Sequence, residues 1–210
     1  MKLSKFSAAA LIAFLLIVID QVVKFYVKTH FYHGESVEVT SWFKILFIEN
    51  NGMAFGMELG SKILLTLARI LIVSFLIWYL WKIRNDAKLK WGYVMTLSLI
   101  IGGAIGNILD CIFYGVIFNN PYPPEIASFL PEGGGYAPLL MGKVVDMLYF
   151  PLFSFVWPQW VPFVGGQEFL FFEPVFNIAD AGVSVGIILL LIAYTSQISD
   201  VRLPHKTSDD

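Results

Sequence analysis

Two aspartates lie in apolar stretches of the sequence, where a charged carboxylate is costly. Asp180 stands at the start of the last apolar segment, and Asp146 lies in the apolar sequence KVVDMLYF, thirty-four residues upstream. An ionisable group at the mouth of a membrane helix indicates a functional site by default. We therefore interpret the two carboxylates as a catalytic pair. The alternative is that each is an interfacial cap or one half of an ion pair.

Asparagines accompany acidic residues at helical spacing in two places. Asn177 precedes Asp180 by three residues, and Asn107 precedes Asp110 by three in the sequence IGGAIGNILD. Each pair therefore shares one helical face, and Gly103 lies on the same face as Asn107. A buried amide can orient a carboxylate or a substrate carbonyl. The alternative is that both asparagines only connect helices and take no part in chemistry.

Pairs of small residues predict that two helices touch. Gly102 and Gly106 form one small-xxx-small pair, and Gly182 and Gly186 form another in the last apolar segment. Such pairs allow helix backbones to approach closely within a membrane. We therefore expect the third and fourth apolar segments to pack together and to bring the two Asn–Asp pairs near each other.

A pair of carboxylates in a site of low dielectric constant holds one proton, because both cannot ionise cheaply. One carboxylate then activates water as a base, while the other acts as an acid towards the carbonyl and the leaving amine. This chemistry is peptide hydrolysis without a metal or a covalent intermediate. The sequence contains no GxSxG, HExxH or P-loop motif, and Cys111 has no histidine placed to activate it.

The composition indicates a membrane protein. Of the 210 residues, 57% are hydrophobic and only 14% are charged, and the mean hydropathy is +0.71. The net charge of −2 does not suggest binding to nucleic acid. One cysteine and three scattered histidines make a metal site of the His/Cys type a poor interpretation. No metal and no other cofactor is implied.

Four apolar segments predict an all-α membrane protein with four transmembrane helices in a single domain, residues 1–210. The spans cover about residues 8–28, 62–81, 91–109 and 174–194. Between them lie a small segment rich in β-branched and aromatic residues, 29–61, and a long aromatic loop, 110–173. The first of these is expected to form short strands.

Basic residues predict the orientation of the chain. The N-terminus, the connection at 82–90 and the C-terminal tail carry eight of the fourteen lysines and arginines, whereas the 110–173 segment carries only Lys143. Both termini should therefore be cytoplasmic, with the 29–61 and 110–173 segments on the outer face. In this topology Asp20, Asp146 and Asp180 all lie near the outer boundary of the membrane.

The first span carries two opposite charges, Asp20 and Lys24, four residues apart on one helical face. They are expected to pair as the helix approaches the interface. A structural ion pair is at least as good an interpretation as a direct part in chemistry. Arg69 in the second span must either face the helix bundle or extend to the interface.

Five motifs, in order, resemble those of lipoprotein signal peptidase (signal peptidase II), a family of aspartic membrane peptidases. They are DQVVK, NNGMAFG, GGAIGNILD, VVD and FNIAD, and they extend from Asp20 to Gly186. The resemblance implies that Asp146 and Asp180 are the catalytic dyad. It also implies binding or supporting roles for eight further residues: Asp20, Lys24, Asn50, Gly103, Asn107, Asp110, Asn177 and Ala179.

The resemblance also implies a substrate and a location. Members of the family cleave the signal peptide of a prolipoprotein just before its diacylglyceryl-modified cysteine, on the outer side of the bacterial cytoplasmic (inner) membrane. The expected partners are therefore prolipoproteins and membrane lipids, and the chain is expected to act as a monomer.

Two features depart from the family. Arginine usually follows the aspartate of GNxxD as a contact for the substrate, but this chain has Cys111 there. In addition, the GNxxD and VVD motifs are farther apart than in compact members, with thirty-six residues from Asp110 to Asp146. We expect the additional aromatic loop to lie over the site at the membrane surface, as a lid or a lipid-docking surface.

Two other classes of function compete with a peptidase. A proton-coupled transporter also carries acids within the membrane, but here the acids cluster at one face, and no inverted repeat is visible. A lipid-binding scaffold without catalysis is the second alternative. Replacing Asp146 or Asp180 with asparagine separates a peptidase, which loses turnover but keeps binding, from a scaffold, which loses neither.

Overall fold

Three long apolar helices form the main body of the protein. The computed structural model describes residues 4–51, 62–84, 86 and 88–200. Helix α1 covers Lys5–His30, α2 covers Lys62–Ile83 and α3 covers Trp91–Leu109. Together with the helical turns that follow α3, these three are long and apolar enough to cross a membrane. The first three predicted spans are therefore confirmed as apolar helices.

The third helix continues beyond its predicted end. A π-helical turn, Asp110–Tyr114, follows α3, and a short helix α4, Gly115–Ile117, completes the helical run. The helical run therefore continues about two turns beyond residue 109, the predicted end of the third span. The physical reason is that Asp110 is fully buried and paired with Lys24, so this charge does not end the helix.

The last apolar helix is shorter than predicted. Helix α5 covers Ile178–Ala193 and is followed by α6, Thr195–Asp200. The predicted span began at residue 174, but Val175–Phe176 forms a strand and Asn177 caps the helix. The 16 residues of α5 extend about 24 Å, somewhat less than the hydrocarbon thickness of a typical bilayer.

A four-stranded antiparallel sheet lies at one end of the helices. Its order is β1 (Ser36–Thr40), β2 (Phe43–Asn50), β3 (Val144–Tyr149) and β6 (Val175–Phe176). The strands predicted within 29–61 are thus confirmed. The all-α fold class is wrong, because β3 and β6 from the long segment complete this sheet.

A second, two-stranded sheet is inserted between β3 and β6. It consists of β4 (Phe153–Val156) and β5 (Glu168–Phe171), paired antiparallel. The predicted aromatic loop therefore contains regular structure. The part of the loop that precedes β3 is attached to the rest of the protein by two isolated β-bridges, Tyr32 to Ile126 and Phe118 to Phe129.

Helix α3 lies at the centre of the packing and contacts α5 and α1 most extensively. The predicted contact between the helices that carry the two glycine pairs is confirmed. A Cβ on Gly103 would lie 2.3 Å from the carbonyl oxygen of Ala179, and one on Gly186 would lie 2.5 Å from Ile100 Cγ1. Glycine is therefore required where α3 and α5 cross.

An apolar cluster joins the sheet to the helices. It lies between the end of α1, the end of the α3 run and the inner face of β2 and β3. Burial of large apolar side chains is the main favourable contribution to such packing. Its fully buried members are Val27, Phe47, Tyr114, Phe118, Val145 and Met147.

We predict that Gly103→Ala destabilises the protein by about 1–3 kcal/mol, because the new methyl group collides with the backbone of α5. Gly133→Ala is the matched control, since a Cβ there meets no atom within 4 Å. Thermal unfolding of both variants in detergent measures the difference. Equal melting temperatures for the two variants would contradict the close α3–α5 contact.

Candidate active site

Asp180 is fixed in the first turn of α5 by a reciprocal cap. The Asn177 side chain accepts a hydrogen bond from the Asp180 backbone N–H at 2.8 Å, and the Asp180 carboxylate accepts one from the Asn177 N–H at 3.4 Å. This capping box starts the helix at a defined residue. It also holds the carboxylate at the N-terminal end of α5, where the helix dipole favours negative charge.

Asp146 lies in the middle of β3, opposite Ile48 of β2. Its carboxylate accepts hydrogen bonds from the side-chain amides of Asn50, at the end of β2, and Asn177, the latter at 2.7 Å. Burial raises the pKa of Asp146 to about 7, and the charge of Asp180 adds to this increase. This carboxyl group therefore binds a proton more readily than an ordinary aspartate does.

Two asparagine side chains connect the two carboxyl groups. Asn107 donates to Asp180 Oδ1 at 2.7 Å and accepts from Asn177 Nδ2 at 3.1 Å. Asn177 in turn donates to Asp146. Each amide has a donor and an acceptor end, so the chain of bonds also fixes which way each amide faces. The structure thus brings both Asn–Asp pairs and Asp146 into one network.

A buried ammonium group is in direct contact with this network. Lys24 is fully buried, and its Nζ lies 2.9 Å from Asp20 Oδ2, 2.8 Å from Asp110 Oδ2 and 2.7 Å from Asn107 Oδ1. The three acceptors match the three donors of an ammonium group. The expected Asp20–Lys24 pair is therefore present, and Asp110 is a second carboxylate partner of the same lysine.

The two carboxylates on Lys24 also hold neighbouring backbone. Asp20 Oδ1 accepts from the Ala179 N–H at 2.8 Å, at the start of α5. Asp110 Oδ2 accepts from the Val145 N–H at 3.2 Å, next to Asp146. The carboxylates bound to Lys24 thus hold the backbone of Ala179, next to Asp180, and of Val145, next to Asp146. The positions of both acids are therefore fixed by backbone as well as side-chain contacts.

Close packing at small residues lets these groups meet. A Cβ on Gly103 would collide with Ala179, and one on Gly106 would lie 2.8 Å from Asp20 Oδ2. Every predicted site residue is therefore within the same region of the protein. The motif that contains Asn50 continues into residues 52–56, which lie outside the described residues.

Sequence reasoning missed Gln21. Its amide donates to Asp110 Oδ1 at 2.8 Å and to the Gly106 carbonyl at 3.1 Å, and it accepts from the Tyr114 hydroxyl at 3.3 Å. Gln21 lies between Asp20 and Lys24 in the first span. A third polar side chain beside these two charges was the signal that could have found it.

A second buried ion pair was also missed. Lys28 Nζ lies 2.7 Å from Glu49 Oε1, and both side chains are almost fully buried. The ammonium group also lies over the rings of Phe118 and Tyr136, at 5.4 and 5.3 Å from their centroids. Because Glu49 precedes Asn50, this pair holds the end of β2 beside Asp146 and joins it to the long segment.

Arg69 faces the helix bundle, one of the two orientations expected for it. Its Nη1 lies 3.7 Å from Cys111 Sγ, so a guanidinium group from α2 lies beside the position where the resemblance leads us to expect an arginine. Cys111 is itself buried.

The two carboxyl groups lie where the sheet meets α3 and α5, and side-chain amides orient both of them. A pair arranged in this way can hold one proton. Such a pair can act as a general acid and a general base on one substrate. Among the residues that the structure describes, no group of three His, Cys, Asp or Glu side chains is placed to bind a metal ion.

Comparison with known proteins identifies the family. The sequence profile described as signal peptidase (SPase) II matches residues 12–196. The chain belongs to the signal peptidase II family. It is therefore a peptidase of a membrane-embedded, multi-pass bacterial type, and the resemblance seen in the five motifs is confirmed.

Individual relatives agree with this assignment. A lipoprotein signal peptidase of Porphyromonas gingivalis is 50% identical over 207 residues, which cover 96% of this chain and 91% of the relative. Another, of Amoebophilus asiaticus, is 38% identical over 202 residues, covering 91% and 78% of the two chains. A solved bacterial membrane enzyme matches with a TM-score of 0.62 at 25% identity and covers 94% of this chain and 93% of its own.

We predict that Lys24→Met destabilises this signal peptidase II family member by about 3–5 kcal/mol, because Asp20 and Asp110 would remain buried without a counter-ion. Lys44→Met is the matched control. Lys44 pairs with Glu38 at 3.1 Å, but both side chains are partly exposed, so its loss should cost about 0–1 kcal/mol. Denaturant unfolding measures both costs, and equal costs would contradict the central role of Lys24.

Proposed function

We propose that this protein removes the signal peptide from diacylglyceryl-modified prolipoproteins, with Asp146 and Asp180 as the catalytic dyad. The observation that carries the proposal is the network that joins the two carboxyl groups through Asn177 and Asn107. Family membership supports the substrate class, since the curated relatives are lipoprotein signal peptidases. Cleavage takes place just before the lipidated cysteine.

In the proposed reaction, the dyad begins with one proton. We assign this proton to Asp146, whose pKa burial raises, and the role of base to Asp180. Asp180 takes a proton from water while the water oxygen bonds to the scissile carbonyl carbon. Asp146 gives its proton to the carbonyl oxygen. The tetrahedral species then collapses. Asp146 takes a proton back from a hydroxyl group as the carbonyl re-forms, the C–N bond breaks, and Asp180 gives its proton to the leaving amine, which restores the starting dyad.

The eight other residues have positioning or binding roles in this proposal. Asn177 and Asn107 orient the dyad, and Asn50 orients Asp146. Asp20, Lys24 and Asp110 fix the backbone on either side of the dyad, while the small residues Gly103 and Ala179 permit the approach of α3 and α5.

The site has a location suited to a lipid-anchored substrate. The dyad lies at the sheet end of the helices, where β3 and the start of α5 meet. With both termini in the cytoplasm, as the basic residues predict, this end lies near the outer leaflet. The acyl chains of the substrate then remain in lipid while its peptide bond reaches the dyad.

Arg69 is proposed to supply the substrate contact that Cys111 cannot. Its guanidinium lies against the Cys111 sulfur, so α2 places a fixed positive charge at this position. Such a charge attracts the oxygen of a peptide carbonyl in the substrate.

We predict that Asp146→Asn and Asp180→Asn each lower cleavage of a diacylated prolipoprotein by at least about 10²–10⁴-fold, because each removes a proton-transfer group without changing side-chain shape. Cleavage by purified protein in lipid bilayers measures this loss, and binding of the substrate should persist. Glu38→Gln on β1 is the control for a carboxylate-to-amide change, because Glu38 is an exposed partner of Lys44.

Cleavage at the rate of the unmodified protein by either dyad variant would overturn the assignment of that residue. If the unmodified protein binds the substrate and never cuts it, the protein acts as a lipid-binding scaffold instead.

A further inference from the structure

The hairpin between β3 and β6 forms an arm, residues 150–172, that has no catalytic part in the proposed reaction. It contains nine aromatic residues and a single charged residue, Glu168. Aromatic pairs run along its two strands, with Phe153 opposite Phe171 and Phe155 opposite Phe169. The ring centroids of these pairs lie 4.8 and 5.1 Å apart. The arm is thus built mainly from aromatic cross-strand contacts.

Most of the apolar surface of the arm is exposed. Seven of the eight strand residues are exposed. At the tip, Trp160 is 82% exposed and Phe163 is 99% exposed. A single two-stranded hairpin is marginally stable in water, and large exposed apolar surfaces indicate contact with a membrane or a partner. Some further surface is therefore expected to cover the arm.

The base of the arm is fixed to the main sheet. Phe150 stacks on Phe43 and Phe176, with centroids 4.9 and 5.6 Å apart, and Phe172 meets Phe176 edge-on at 5.9 Å. Phe176 directly precedes Asn177, the cap of α5. The arm therefore leaves the protein at the end of the helices where the apolar helix α5 begins.

Three observations favour lipid as the covering surface. Aromatic side chains with almost no charge are the composition of the membrane–water interface. The arm joins the apolar helix α5 through β6, and the helices expose large apolar side chains such as Leu71 and Ile192. The four phenylalanines of the two strands share one face, whereas Ser154 and Glu168 lie on the other, so one face is suited to lipid and the other to the headgroup layer.

We propose that the arm docks into the interface of the bilayer, with Trp160 and Phe163 among the lipid headgroups and upper acyl chains. Because its base contacts the residue that precedes Asn177, docking sets the depth of the carboxylate pair relative to the headgroups. That consequence rests on the proposed function, but the docking itself does not.

A spin label at the tip tests the proposal in the full chain. Cys111 is the sole cysteine and is buried, so a label on Phe163→Cys reacts at the new thiol, and replacing an exposed side chain costs little packing. The labelled variant is placed in phosphatidylcholine bilayers. The rate at which the label collides with oxygen, which concentrates in lipid, is then compared with its rate of collision with a water-soluble nickel chelate.

Two reference positions calibrate the measurement. Leu71→Cys on the exposed face of α2 represents lipid, and Gly133→Cys, where a Cβ meets no neighbouring atom within 4 Å, represents a water-facing loop. The proposal predicts that the label at 163 favours oxygen, as the label at 71 does.

Two results would overturn the proposal. A label at 163 that favours the nickel chelate, like the one at 133, places the arm in water. A label reached by neither reagent shows that protein covers the arm. Neither result depends on cleavage, so failure of the docking proposal and failure of the peptidase proposal are distinguishable.

Discussion

The structure depends on one buried ammonium group, that of Lys24. A lysine in this position is unfavourable unless each N–H finds an acceptor and the charge is balanced. Asp20, Asp110 and Asn107 meet both needs. Because the three acceptors come from α1 and from the helical run of α3, the ammonium sets the axial position of one helix against the other.

The same contacts extend to the carboxylate pair. Asp20 holds the backbone at the start of α5, Asp110 holds that of β3, and Asn107 bonds directly to Asp180. A shift of any of these elements would leave a buried polar group without its partner, at a cost of about 1–3 kcal/mol or more. Among the described residues every buried side-chain nitrogen or oxygen has a hydrogen-bond partner. The geometry of the carboxylate pair is therefore fixed by the same interactions that hold the helices together.

The sequence was most informative where a pattern is local. Apolar length predicted the three long helices, and the three-residue spacing of Asn177 and Asp180 predicted a shared face that the capping box realises. The spacing of the glycine pairs predicted which helices touch. In each case the required information lies within one or two helical turns of the chain.

The sequence was least informative where distant segments meet. Strand β3 pairs with β2 almost a hundred residues earlier, and no local pattern specifies that register. The apparent helix end at Asp110 was misleading because its counter-ion comes from α1. Likewise, the contact of Arg69 with Cys111 depends on how α2 packs against α3. Such tertiary contacts override local signals and cannot be inferred from spacing alone.

The central claim is that Asp146 and Asp180 form one coupled pair in which Asp146 retains a proton. Infrared spectroscopy of the protein in lipid, with ¹³C-labelled aspartate carboxyl groups, observes this proton directly. The account predicts a protonated carboxyl band that titrates near pH 7. The band disappears in Asp146→Asn, and it titrates at lower pH in Asp180→Asn because the neighbouring charge is gone. A band that is absent near neutral pH, or unchanged by both substitutions, would contradict the account.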